Sequence, residues 1–489
     1  MGQLGCFQEN TIVCGDAREV LAQMPGESVH LCITSPPYWG LRSYEGTECI
    51  FGGDEECEHQ WGGDFAPPTK VGKQGMTEDI KWPAIVKMQG KPSGSQFCSL
   101  CGAWRGQFGL EPTPEMYVEH TLEFLRAIWR VLRKDGTCWV NIGDSYAGSG
   151  VHAEYHANPG LSKAGKRHGA IATPVSSGLK PKDLVMIPFR VALAAQSDGA
   201  ADPKAMEIIG RMQTALLEDC ETWEEVPPHI RREFERLEQE YCQAHEGAWW
   251  VRQVIIWEKP NPMPESVNDR CTTSHEYVLL MAKSKRYYYD AEAIREPATT
   301  SEWPGIGPQH GDIRDRGEKY EPMAVRTGRN KRSVWTIPTS PYSGPHYSTF
   351  PPALVEPMIL AGSSLKVCAE CGAPWERIVE REKQNVEYYP VGMASKQREV
   401  LDNEGKGRPF PYVSSGEKFS WATKTLGWRP TCSCNADTKP ALVLDPFCGT
   451  ATVAQKCIEY GRDYVMIDID PKSIELAKER IAQVQVRLF

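Results

Sequence analysis

No stretch of about 18 consecutive apolar residues occurs in the chain, so no membrane-spanning helix is expected. Met1 to Asn10 lacks a basic patch followed by an apolar core, so no secretory leader is read there and a cytoplasmic protein is expected. Positive charge is not in excess: 55 Lys and Arg against 64 Asp and Glu give a net charge of −9. That excludes a surface coated in cations, but not phosphate contact through local clusters. Two such clusters are present, one of Lys163, Lys166, Arg167 and His168, the other of Arg326, Arg329, Lys331 and Arg332. No internal repeat is evident, which excludes a solenoid or propeller. The three spaced glycines of a pyrophosphate-binding turn are also missing. Cysteine is not scarce. Seventeen of them in a chain read as cytoplasmic point to metal binding or burial rather than disulfides. Cys14, Cys32 and Cys138 sit inside apolar runs and read as small core residues.

What is present is an alternation of short apolar runs and helical periodicities. Strands are expected at Thr11 to Val13, Ser28 to Ile33, Thr137 to Ile142, Gln253 to Trp257, Tyr277 to Met281, Ala441 to Leu444 and Tyr464 to Ile469. Helices are expected at Ala17 to Met24, Pro114 to Leu132, Leu184 to Gln196, Pro351 to Leu360, Val453 to Tyr460 and Pro471 to Gln485. Such alternation predicts an α/β fold with a parallel-rich, doubly wound sheet. Core segments 1–50, 110–198, 249–294, 341–366 and 440–489 are interrupted by insertions at 51–109, 199–248, 295–340 and 367–439. The insertion around Asp202 to His245, dense in Glu, Arg and Gln, reads as a helical hairpin. Ala298 to Thr339 reads as irregular and basic, and Gly148 to Gly178 as a mobile loop.

Two peptides at opposite ends of the chain carry the chemistry. Val443 to Thr450 follows an apolar run and offers a turn with a glycine that lets the backbone approach a ligand. Asp468 closes the next strand about 20 residues on, a spacing that suits hydrogen bonds to two ribose hydroxyls. Ligands of such sheets bind at the carboxyl ends of the strands. A nucleoside cofactor follows, and S-adenosylmethionine has no phosphates for which the missing fingerprint would be needed. Near the other end, Thr34-Ser35-Pro36-Pro37-Tyr38-Trp39 follows a strand. Its prolines stiffen the turn and remove backbone donors, leaving carbonyl oxygens to accept from an exocyclic amine. Tyr38 offers a stacking face for an everted base, and Ser35 a hydroxyl that accepts or relays a proton.

These peptides resemble those of the beta group of amino-specific DNA methyltransferases, closest to the phage and prophage type with Thr-Ser-Pro-Pro-Tyr-Trp-Gly. Gly15-Asp16, Trp139 to Tyr146, Gln253 to Pro264, Asp269-Arg270, His275-Glu276-Tyr277, Tyr287 to Asp290 and His346 to Gly362 look like that family as well. The resemblance implies a circularly permuted Rossmann-like class I methyltransferase sheet with helices on both faces, plus inserted zinc-binding and DNA-recognition segments. Ser35, Pro36, Pro37 and Tyr38 would be catalytic; Asp16, Phe350, Asp445, Phe447, Gly449 and Asp468 would bind S-adenosylmethionine. Double-stranded DNA is the implied substrate, with a cognate restriction endonuclease and a homodimer as further partners that the resemblance allows. Ala451 stands where the family usually has a second glycine. Ser before Pro-Pro-Tyr favours cytosine N4, with adenine N6 as the alternative. Cytosine C5 chemistry needs a thiolate nucleophile, and the characteristic Pro-Cys pair does not occur. A zinc-containing nucleic-acid-binding protein with a decayed methyltransferase core is a more distant alternative, with Ala451 its only hint.

Two sets of soft ligands fall in the insertions. Cys57, His59, Cys98 and Cys101 form one, and Cys368, Cys371, Cys432 and Cys434 the other. Close pairs of Cys and His suit structural, tetrahedral zinc, and both polar insertions need a clip to fold; free thiols in loops are the alternative. The basic stretch from Arg295 to Arg332 is the expected DNA-reading region, and Gly148 to Gly178 the loop that closes over DNA.

Overall fold

The computed structural model describes residues 3–4, 7–41, 46–54, 56–61, 96–147, 179–198, 248–297, 325–326, 328–340, 350–385, 400–401, 407–408 and 419–484. The hairpin expected at Asp202 to His245, the loop Gly148 to Gly178, the cluster at Lys163 to His168 and most of the expected DNA-reading region lie outside the described residues.

An eight-stranded sheet organises the core. Its members in chain order are β1 (Thr11–Cys14), β2 (Val29–Thr34), β3 (Leu132–Ile142), β4 (Trp250–Glu258), β5 (His275–Ala282), β6 (Val334–Thr336), β7 (Leu442–Asp445) and β8 (Asp463–Asp468). Across the sheet they run β6-β4-β5-β3-β2-β7-β8-β1. β5 pairs antiparallel with both β3 and β4, and the remaining pairings are parallel. Of the two C-terminal strands, β7 therefore sits beside β2, and β8 lies between β7 and the edge strand β1. β2 and β7 are buried along their whole length, as continuous apolar strands covered on both faces must be.

Among the described residues, six α-helices cover the sheet: α1 (Ala17–Gln23), α2 (Pro114–Val131), α3 (Ile187–Ser197), α4 (Pro352–Gly362), α5 (Thr452–Glu459) and α6 (Pro471–Ile481). Two apolar cores lie on opposite faces. One joins Val29, Cys32, Leu442 and Leu444 to α1, α2 and α3; the other joins Leu31, Ile33, Val443 and Met466 to α4, α5 and α6. From Leu31 onward in β2, and along β7, alternate residues thus feed different cores, as the two-residue strand period requires; a register irregularity between Val29 and Leu31 sets Val29 apart. Helix starts follow capping chemistry: Asp16, Thr113 and Asp470 accept from first-turn amides, with Pro114 and Pro471 in the first turn of α2 and α6. No helix among the described residues is long and apolar enough to cross a membrane.

Four features differ from the sequence expectation. Cys14, read as a core residue, is exposed at the end of β1. Val334–Thr336, inside the stretch read as irregular, is an edge strand that inserts the buried Trp335 into the core. β3 begins at Leu132, directly after α2, rather than at Thr137. Lastly, the second insertion is built on a long antiparallel pair, Trp375–Asn385 with Phe419–Pro430.

Candidate active site

β2 and β7 run parallel, with Val443 opposite Leu31 and Leu444 opposite Cys32, so the turns that follow them leave the same edge of the sheet. The junction is sealed by Thr34, whose hydroxyl donates to Asp445 Oδ1 over 2.8 Å. Residues over 400 positions apart thus meet. A cavity of about 930 Å³ opens at this edge, lined among others by Asp16, Ser35, Pro36, Pro37, Tyr38, Phe350, Phe447, Gly449 and Asp468. Of the ten acceptor and donor residues named from sequence, Asp445 alone is absent from the lining; it lies buried beneath. Burial pushes its carboxyl up to about 7, against the hydrogen bonds from Thr34 and the Phe447 amide.

On the donor side, Gly449 N–H donates to Asp468 Oδ2 at 2.8 Å and Asp470 N–H to Asp468 Oδ1 at 2.9 Å, which fixes the carboxylate at the end of β8. Phe447 packs its ring against Phe108 and Phe124. Asp16 caps α1 and forms an ion pair with Arg18 at 2.7 Å. Burial raises the Asp16 carboxyl, but hydrogen bonds and charge from Arg18 outweigh it, so the net shift is downward. Ala451 takes a left-handed conformation, φ 58° and ψ 44°, at the start of α5. A glycine would adopt it without strain, which explains why the family resemblance expects one there.

On the acceptor side, the turn is held from behind. Tyr117 hydroxyl donates to the Pro37 carbonyl at 2.9 Å, Gly40 N–H to the Gly109 carbonyl at 2.7 Å, and Trp39 Nε1 to the Glu111 carbonyl at 2.9 Å. One of the carbonyls expected to face a substrate is therefore occupied by Tyr117. Tyr38 lies against Gly143, where an added Cβ would sit 2.6 Å from its ring. Its hydroxyl donates to Glu276 Oε2 at 2.6 Å and accepts from Asn141 Nδ2 and, at 3.5 Å, from Ser35 Oγ. Lys259 pairs with the other Glu276 oxygen. Burial first, then the Glu276 charge, keeps the Tyr38 phenol protonated well above its usual range.

Sequence reasoning assigned no role to Asn141, Asp144, Ser145, Lys259 or Glu276, although the peptides Trp139 to Tyr146 and His275 to Tyr277 stood out by resemblance. All five line the cavity. Among the described residues, Asn141 Oδ1, Asp144 Oδ2 and Ser145 Oγ are buried without a hydrogen-bond partner. Buried polar atoms are normally paired, so three on one short segment mark a place where a ligand completes the pairing.

The first insertion forms part of the wall. Glu48–Phe51 pairs antiparallel with Trp104–Gln107, and Thr47, Cys49, Phe51 and Phe108 line the cavity. This pair leads into the tetrad Cys57, His59, Cys98 and Cys101, whose ligand atoms all lie within 4.8 Å of one another. Cys57 and Cys98 Sγ are 3.9 Å apart, and Cys101 Sγ is 3.3 Å from His59 Nδ1. Cys368, Cys371, Cys432 and Cys434 gather within the same distance. Soft donors in fours at this spacing fit one tetrahedral ion each. Of the basic cluster near Arg326, Arg329 and Arg332 pair with Glu296, and Lys331 stands 5.0 Å from the Trp335 ring centroid.

A model of the DNA methylase family of N6 and N4 methyltransferases matches residues 29–366 and 435–479, and the chain belongs to that family; it is a DNA methyltransferase. It is similar to the type II methyltransferase M.Cfr9I of Citrobacter freundii, 26% identical over 473 residues covering 96% of this chain and 87% of that relative. It is also similar to the type II methyltransferase M.SmaI of Serratia marcescens, 29% identical over 365 residues covering 73% of this chain and 78% of the relative. A solved structure described as PvuII DNA methyltransferase (cytosine-N4-specific) aligns over 98% of this chain and 89% of its own, with a TM-score of 0.40 and 12% identity.

Proposed function

We propose that the protein is a site-specific DNA methyltransferase that moves a methyl group from S-adenosylmethionine to the N4 amine of cytosine. What carries the reading is the convergence of the two turns at one sheet edge, joined through Thr34 and Asp445. In this reading the sheet is a circularly permuted methyltransferase sheet, its donor strands β7 and β8 last in sequence but lying between β2 and β1 in space.

The residues present suit the cofactor. Gly449 lets the backbone come close, Asp468 stands where a ribose would be held, and Phe447 offers a ring face to a cation. S-adenosylmethionine supplies an electrophilic methyl on a sulfonium. The chain's contribution is positioning, since in-line displacement needs a fixed approach more than a strong base. Ser35 Oγ and the Pro36 carbonyl take the two amine hydrogens, which are the only donors cytosine has, while the unpaired Asn141, Asp144 and Ser145 atoms face the same cavity. As the N–C bond forms at the expense of the donor's S–CH3 bond, whose sulfur would leave as a neutral thioether, the amine loses a proton. Ser35 Oγ takes it, and the hydrogen bonds to Tyr38 and Glu276 lead it away. The choice of cytosine over adenine rests on the family resemblance, in which Ser rather than Asp precedes Pro-Pro-Tyr.

Both cysteine tetrads are read as structural zinc sites, because four protein donors leave no open position for a substrate. The relatives are type II methyltransferases, so double-stranded DNA in the cytoplasm is the substrate proposed, with a cognate restriction endonuclease as the functional counterpart. The test is expression in a methylation-free host followed by digestion of the DNA to nucleosides and mass spectrometry. N4-methylcytosine is expected. N6-methyladenine would replace the base assignment, and neither product would overturn the reading.

A further inference from the structure

Met263 is 86% exposed, more than any other large apolar side chain among the described residues; the next, Leu193, is 61% exposed. It is not on a trailing loop. Pro262 and Pro264 flank it and fix the backbone on both sides. The loop is fastened at its base: Lys259 N–H donates to the Ser274 carbonyl at 2.7 Å, and Thr339 N–H to Asn261 Oδ1 at 3.0 Å. Beyond it, Arg270 pairs with Glu265 at 2.6 Å and lies over the Tyr146 ring at 4.0 Å from the centroid. Asn261, Pro262, Met263 and Arg270 all line the same cavity as Tyr38. A rigid segment thus holds one flexible, polarisable side chain in water beside the acceptor turn.

Leaving such a side chain in water forgoes the gain of burying it. The cavity admits a base only when the base has left the duplex, and everting it opens a gap between stacked neighbours. Apolar wedges fill or pry such gaps in proteins that unstack DNA. We propose that Met263 is the wedge: it enters the base stack as the target is everted and holds open the duplex from which the base came. This rests on the DNA-amine reading above. The unbranched thioether suits a gap whose walls differ from site to site.

The experiment uses the full-length protein, with Met263→Ala and Met263→Leu as variants. Two duplexes carry the site mapped in modified host DNA. In one the target base faces its partner; in the other it faces an abasic position, so eversion is already easy. Single-turnover transfer from tritiated S-adenosylmethionine is measured on both. Met263→Ala should be slower than wild type by about tenfold on the paired duplex and match it on the unpaired one, because only eversion has been impaired. Met263→Leu should stay near wild type on both. 2-Aminopurine at the target position should brighten less with Met263→Ala than with wild type. Equal behaviour of Met263→Ala on the two duplexes, slowed on both or on neither, would overturn the wedge. Wild-type inactivity on both duplexes would instead overturn the reading on which it rests.

Discussion

Cys98 to Ala103 and Cys368 to Ala373 share the pattern Cys-x-x-Cys-Gly-Ala and fold alike. Gly102 N–H donates to Cys98 O at 3.0 Å and Gly372 N–H to Cys368 O at 2.9 Å; the return bonds, Cys98 N–H to Ala103 O and Cys368 N–H to Ala373 O, measure 2.8 and 2.9 Å. Both glycines have positive φ, 79° and 70°, which only glycine adopts freely. What differs is the attachment. The first knuckle continues into the strand pair that lines the cavity, and Arg18 ties that pair to Asp16 by donating to the Ile50 carbonyl at 3.0 Å. The second sits at the amino ends of the strands. There Arg133 donates to the Cys371 carbonyl at 2.8 Å, and His30 bridges the Gly372 carbonyl and the Leu442 amide, each at 3.0 Å. One motif thus adjoins the cavity edge of the sheet, and its twin braces the opposite edge.

The largest expected effect breaks the symmetry between the two. Cys101→Ser should lose one equivalent of bound zinc by elemental analysis and weaken S-adenosylmethionine binding by about tenfold or more in titration calorimetry. Cys371→Ser should lose one equivalent as well, yet leave donor affinity within about twofold, a change worth less than 1 kcal/mol. Equal loss of donor affinity in both variants would remove the distinction. Cutting the second knuckle's fastening sharpens it further. His30→Leu leaves the Leu442 amide and the Gly372 carbonyl without partners, so denaturant unfolding should show a loss of about 2–5 kcal/mol with donor affinity unchanged.

The donor turn supplies two smaller controls that neither knuckle touches. Burial lifts Asp445 to about 7, above the ~3.9 of an unfolded chain. The folded state therefore keeps a proton that the unfolded state has shed, and stability from this group, full below about 3.9, is lost as pH rises through about 7. Asp445→Asn should flatten that decline in denaturation curves taken between about pH 4 and pH 8. The smallest effect is Ala451→Gly, which relieves the left-handed strain and should stabilise the protein by about 1 kcal/mol without altering zinc content.

Much of this was legible in the sequence because burial on both faces leaves an unbroken apolar run. β2, β7 and β8 announced themselves that way. β6 did not, because Trp335 alone of its three residues is buried, amid a basic stretch. The charged start of β3, Arg133 to Asp135, read as a turn because long polar side chains there reach the surface. The acceptor and donor turns carried recognisable residues. Their backing did not: that Tyr117 holds the Pro37 carbonyl, or that Glu276 holds Tyr38 across 238 positions, depends on pairings no local pattern encodes. The wall made by Cys49 and Phe51 was hidden for the same reason, since four residues in a polar insertion show no period.

The most direct test of the central claim is photolabelling with methyl-tritiated S-adenosylmethionine and sequencing of the labelled peptides. If the two ends of the chain share one site, label should appear in the peptide holding Phe447 and in the peptide holding Tyr38, and excess unlabelled donor should remove it from both. Label confined to a peptide remote from both turns would contradict the account.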